Sequence, residues 1–128
     1  MPRLSTALWI LIMPPVVIEL VLLGADSTLW GPLRLRQIAY DWGGFWPGLL
    51  QGWQPNYAAQ PYTMFLSYAV LHGGLAHLVM NMVTLWSLGE AVIARVGQLR
   101  FVTLYIGAAL GGAVGYGLLA DSVQPMVG

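Results

Sequence analysis

Leu71-His72-Gly73-Gly74-Leu75-Ala76-His77-Leu78-Val79-Met80-Asn81-Met82 is the stretch on which the fold turns, because it places three polar side chains inside an otherwise apolar run. From Asp41 to Glu90 no Asp, Glu, Lys or Arg intervenes. Polar groups in such an interval are expensive in hydrocarbon, so they invite a functional reading. On a helix, His77 and Asn81 stand four residues apart, about 40° round the axis, and face one common site. His72 lies about 140° from His77 on the same count, and Gly73-Gly74 marks the helix entrance, so His72 need not face that site. By pattern alone, His77 and Asn81 serve equally well as donors at a site or as polar groups that hydrogen-bond neighbouring helices.

Outward from this stretch, residues 72–94 read as a spanning helix and residues 99–120 as a second, the latter uncharged from Phe101 onward. The short junction Arg95-Val96-Gly97-Gln98-Leu99-Arg100 forces the two into a tight antiparallel hairpin, and its two arginines favour the cytoplasmic side. Gly107, Gly111 and Gly115 recur at four-residue spacing and make a smooth strip, suited to a partner helix of the same protein. Homodimerisation through that strip is the alternative.

Upstream, residues 7–24 are nearly long enough to cross a bilayer core of roughly 30 Å. Arg3 before an apolar run also suits a signal peptide. The run is long for one, however, carries Glu19, and lacks a clean small-x-small cleavage site, which favours a transmembrane helix. Pro14 and Pro15 are expected to bend that helix or break its first turns. Residues 25–61 mix turn residues with Trp30, Trp42, Trp46 and Trp53, a composition suited to the headgroup boundary. An extramembrane loop with a few anchoring aromatics is the plainer alternative.

Composition supports a membrane protein. Of 128 residues 58 % are hydrophobic and 8 % are charged, against about 25 % charged in soluble domains. The net charge is zero, with five Arg and no basic cluster, which leaves no electrostatic footprint for nucleic acid. With no cysteine there is no disulfide, thiolate metal site or Cys nucleophile. His-x₄-His lacks the one-turn spacing of zinc helices and has no evident third ligand, and two histidines on one helix cannot reach opposite faces of a haem iron. No metal or cofactor is expected.

The run Tyr62 to Met82, continued through Leu88-Gly89, Gly97 and Arg100-Phe101, resembles the second helix and following hairpin of rhomboid intramembrane serine proteases. His-x₄-His-x₃-Asn is present in full at His72, His77 and Asn81, and the likeness runs in order over residues 7–128. It implies an all-α polytopic membrane protein, about three transmembrane helices of a six-helix bundle, with the Trp-rich first loop at the interface. It implies a serine endopeptidase acting on transmembrane substrates, with membrane lipid and the remaining C-terminal helices as partners. The location implied is multi-pass integral, and a bacterial inner membrane suits it. His77 and Asn81 match the oxyanion-hole residues, and His72 matches a structural position beside them.

The departures from the family pattern are specific. Its Trp-Arg pair falls at Thr63-Met64, so any anchoring there is absent or supplied by Tyr62 and the tryptophans. Its Glu after the second helix falls at Ile93, with Glu90 one turn earlier as a replacement. Residues 121–128 read as the start of the loop to the catalytic-serine helix, and Gly128 opens the family's Gly-x-Ser-Gly. The nucleophile then falls two residues beyond Gly128, and Ser122 has no base His C-terminal to it. The 128-residue chain is therefore expected to be inactive by itself. A non-catalytic protein that binds transmembrane helices, a pseudoprotease or scaffold, is the alternative function.

Overall fold

A computed structural model describes residues 5–30, 34–121 and 123–128; Arg3 and Ser122, weighed above, lie outside the described residues. Among these the architecture is all-helical: α1 Thr6–Asp26, α2 Leu35–Gly43, α3 Gln60–Ser67, α4 Leu75–Val96 and α5 Gln98–Leu119, with 3-10 turns at Pro47–Gln51 and Tyr68–Val70. α1, α4 and α5 are long and apolar enough to cross a membrane. The protein is a multi-pass integral membrane protein.

α1 continues through Pro14 and Pro15 without a break. The expected interruption does not occur, consistent with the tolerance of apolar spanning helices for proline where neighbouring groups can re-satisfy the backbone. Its first turn is held by two side chains from the α4–α5 hairpin. Glu90 Oε1 accepts the Ser5 N–H at 2.9 Å and Gln98 Oε1 accepts the Ala7 N–H at 2.9 Å. These are donors that a helix start leaves without intrahelical partners. Below them Ala7, Leu8 and Phe101 form a buried cluster with Leu11, Leu85 and Val92 around it.

The hairpin is tighter than the sequence suggests. α4 ends at Val96 and α5 begins at Gln98, so Gly97 alone makes the turn, at φ +84°, where a side chain is strained. α4 begins at Leu75 rather than at residue 72, because Gly74 adopts φ +125° and ends the preceding turn. His72 therefore sits in a connecting loop.

Residues 25–61 contain more structure than a plain loop. α2 and the 3-10 turn at Pro47–Gln51 fold back so that Phe45, fully buried, meets Met64, Tyr68 and Ala113 in a second core cluster. Phe45 contacts Phe65, Tyr68 and Tyr116 edge-on, with centroids 5.0, 6.2 and 6.1 Å away. The chain end joins this cluster through a two-bond bridge: Phe45 N–H donates to Met126 O at 3.0 Å, and Met126 N–H to Phe45 O at 2.9 Å. The glycine strip meets nothing in the described residues. A Cβ at Gly107, Gly111 or Gly115 finds no atom within 4 Å, whereas Gly112 faces Tyr68 and Gly117 faces Phe45. The partner helix expected for the strip is not among the described helices.

Candidate active site

A cavity of about 300 Å³ opens between α4, α5 and the Tyr68–Val70 turn, and its lining includes His72, Asn81, Tyr105 and Gly128. His72 thus faces the same space as Asn81, although helical spacing alone did not require it. His72 is buried, and its Nδ1 has no hydrogen-bond partner. Burial, with His77 nearby, holds its imidazole below the ordinary pKa and favours the neutral ring.

Asn81 projects from α4 one turn after His77, half-buried, so its amide reaches the cavity while the backbone stays helical. His77 is exposed and is not among the residues that line this cavity. Its ring meets the His72 ring edge-on, 5.2 Å between centroids, and its Nδ1 accepts the Gly73 N–H at 3.1 Å. With Nδ1 occupied as an acceptor, the neutral ring carries its proton on Nε2, which leaves that nitrogen as the donor.

Gly128 also lines the cavity. Its N–H is shared between Tyr68 O at 2.9 Å and Leu71 O at 2.8 Å. A Cβ there would lie 2.7 Å from the Ala69 carbonyl oxygen, so the approach admits only glycine. The 3-10 turn beneath it is fixed to α5 by Tyr68 Oη, which donates to Ala109 O at 2.6 Å. Among the described residues no serine hydroxyl bonds a histidine; those of Ser27, Ser67 and Ser87 donate to backbone carbonyls.

The loop carrying His72 is held by residues that spacing did not single out. Arg36 of α2 forks onto Glu19 of α1, Nη2 to Oε1 at 2.9 Å and Nη1 to Oε2 at 3.1 Å, and its Nε donates to Asp26 at 2.6 Å. Its Nη1 also reaches Tyr40 Oη at 3.2 Å and His72 O at 3.3 Å, while Tyr40 Oη donates to the same carbonyl at 2.5 Å. The bond to Glu19, the largest influence, drives the guanidinium pKa further up. The one signal for this network was Glu19, an acid in an apolar helix, which requires a cation. No spacing rule identifies Arg36, 17 residues away, as that cation. The His72 loop is thus held by Arg36 and Tyr40, while Tyr62 is exposed. Among the described residues no cluster of three or more metal-binding side chains occurs. A larger cleft of about 700 Å³ lies beside α2, between Asp26, Arg34, Asp41 and Trp46, and is lined by neither histidine nor Asn81.

Set in a multi-pass helical membrane protein, this arrangement coincides with a family match. The Rhomboid domain model matches residues 58–128, more than half of the chain. The chain belongs to the rhomboid family. A 49-residue stretch is 43 % identical to the rhomboid protease GluP of Bacillus subtilis (strain 168), covering 38 % of this chain. The match spans 10 % of that relative's length.

Proposed function

We propose that these residues form the oxyanion side of a rhomboid-type intramembrane serine endopeptidase that cleaves transmembrane proteins. Attack on a scissile carbonyl builds negative charge on its oxygen, and donors fixed in advance around that oxygen lower the barrier. His77 Nε2–H and the Asn81 side-chain amide are the two donors. His72 is structural: neutral and buried, it forms the wall against which the His77 ring packs. The observation that carries the reading is the shared cavity, whose lining brings together His72, Asn81 and Gly128. A Gly-x-Ser-Gly segment running on from Gly128 would bring its serine into that space.

Among the described residues no serine hydroxyl is bonded to a histidine, and in this reading these 128 residues alone are expected not to hydrolyse peptide bonds. The natural gene product carrying them, reconstituted in liposomes with a fluorogenic transmembrane substrate, is expected to cleave it and to label with a fluorophosphonate. His77→Ala and Asn81→Ala should each lower turnover by roughly 10²–10³-fold, the effect of removing one oxyanion donor. Full turnover in both variants would remove them from the mechanism.

A second reading, binding of transmembrane helices without catalysis, is favoured by the uncovered strip at Gly107, Gly111 and Gly115. Failure of the gene product to label with the phosphonate, together with retention of a transmembrane peptide, would select it.

A further inference from the structure

We propose that Arg36, seated on Glu19 and assisted by Tyr40, is a positioning residue that fixes the His72–Gly73 peptide and, through it, the His77 ring. The inference rests on the oxyanion reading of His77. The peptide unit is planar and trans, so its carbonyl and N–H point in opposite directions. On one side, His72 O accepts from Arg36 Nη1 and Tyr40 Oη; on the other, Gly73 N–H donates to His77 Nδ1. One rigid plane therefore links the guanidinium to the imidazole. A cation bonded to the carbonyl polarises the amide, which strengthens the N–H···N bond on the far side. That bond sets both the tautomer and the orientation of His77 and keeps Nε2–H free as a donor.

The clasp needs its seat. Glu19 is 1 % exposed, and Arg36 presents two nitrogens to its two oxygens, a fit that pins the guanidinium plane. α2 thereby ties α1 to the start of α4 through polar bonds in a chain with few charges. Gly73 and Gly74, having no side chains to wedge the loop, leave its conformation to these bonds. Lysine at position 36 would keep the charge beside Glu19 but lose the planar fork.

The test uses Arg36→Lys, which keeps Glu19 paired, and Tyr40→Phe, which leaves the Glu19–Arg36 fork intact. In the 128-residue chain in detergent micelles, amide hydrogen exchange at Gly73 is expected to quicken about three- to tenfold in each variant, the worth of one hydrogen bond. The through-bond ¹⁵N–¹⁵N coupling between Gly73 N and His77 Nδ1 should fall with it. Amides in the middle of α1 and α5 should not change. Unchanged exchange at Gly73, or a rise shared equally by α1 and α5, overturns the proposal, because a merely stabilising role would loosen the whole fold. In the natural gene product, Arg36→Lys should lower kcat with KM unaltered, and an unaltered kcat overturns the link to catalysis. A wild type that cleaves nothing refutes the oxyanion reading instead, and the exchange data still decide whether the clasp exists.

Discussion

Replacing Gly89 and Gly107 by alanine, one at a time, separates packing from helix propensity. Both lie in spanning helices, Gly89 in α4 and Gly107 in α5, and each substitution gains the same intrinsic helical preference, about 1 kcal/mol. Their surroundings differ. A Cβ at Gly89 would sit 2.6 Å from Leu8 Cδ2 and 3.2 Å from Phe101 Cζ, whereas at Gly107 it meets nothing within 4 Å. Leu8 is fully buried among Ala7, Phe101 and their neighbours, so its methyl cannot swing away without moving α1. Overpacking of this kind costs about 1–3 kcal/mol. Because the propensity gain cancels between the two variants, Gly89→Ala should be less stable than Gly107→Ala by that same ~1–3 kcal/mol. The measurement is reversible unfolding of the 128-residue chain in mixed micelles, titrated with sodium dodecyl sulfate and followed by far-ultraviolet circular dichroism. Equal stability of the two variants would show that α1 is not seated on α4 at Gly89. Run in the natural gene product, the same pair asks whether the strip is covered. Gly107→Ala should turn from stabilising to destabilising if another helix lies on it.

Three further outcomes follow from the polar contacts. Arg36→Ala should cost about 3–5 kcal/mol by leaving Glu19 buried without its cation, while the double variant Glu19→Leu/Arg36→Met should recover most of that loss in the same titration. Glu90→Ala removes an acceptor from the first turn of α1 and should cost about 1 kcal/mol, with added exchange confined to residues 5–9. Because burial lowers the His72 pKa, the fold favours its neutral form. Stability should thus be full above the ordinary value of 6.5, decline as pH falls through the lowered value, and be flat over that range in His72→Gln.

The spanning helices were legible because their signal is local. Leu75 to Val96 and Gln98 to Leu119 are apolar over their own length, and nothing distant is needed to recognise them. The four-residue step from His77 to Asn81 is equally local, and both residues lie on α4. What the sequence could not show depends on meetings across long separations. Arg36 and His72 are 36 residues apart, Ser5 and Glu90 85 apart, and neither pair has a spacing from which contact follows. That α1 runs unbroken through Pro14 and Pro15 has a related reason, since a local rule for aqueous helices omits the neighbouring helices on which α1 packs. Helical angle separates His72 from His77, but the positive φ of Gly74 starts α4 after His72, which lies off the helix and lines the cavity.

These non-local contacts share a geometry that bears on how the site is held. α1 is fastened at two levels, and both fastenings are polar. At its start, Glu90 and Gln98 of the hairpin accept its free N–H groups; further along, Glu19 takes Arg36, which reaches the His72 carbonyl. Between the two levels lie Leu8, Leu11 and Ile12 against Leu85, Val92 and Ile93, contacts without directional preference. In a bilayer such apolar surfaces gain little by associating, since lipid tails are as apolar as leucine. Apolar packing alone would therefore permit α1 to slide or rotate against α4. The hydrogen bonds at the two levels fix its register, and the second fastening passes that register to the peptide that orients His77. A chain with ten charged side chains uses Glu19, Arg36 and Glu90 where a helix has to be set in place against its neighbours.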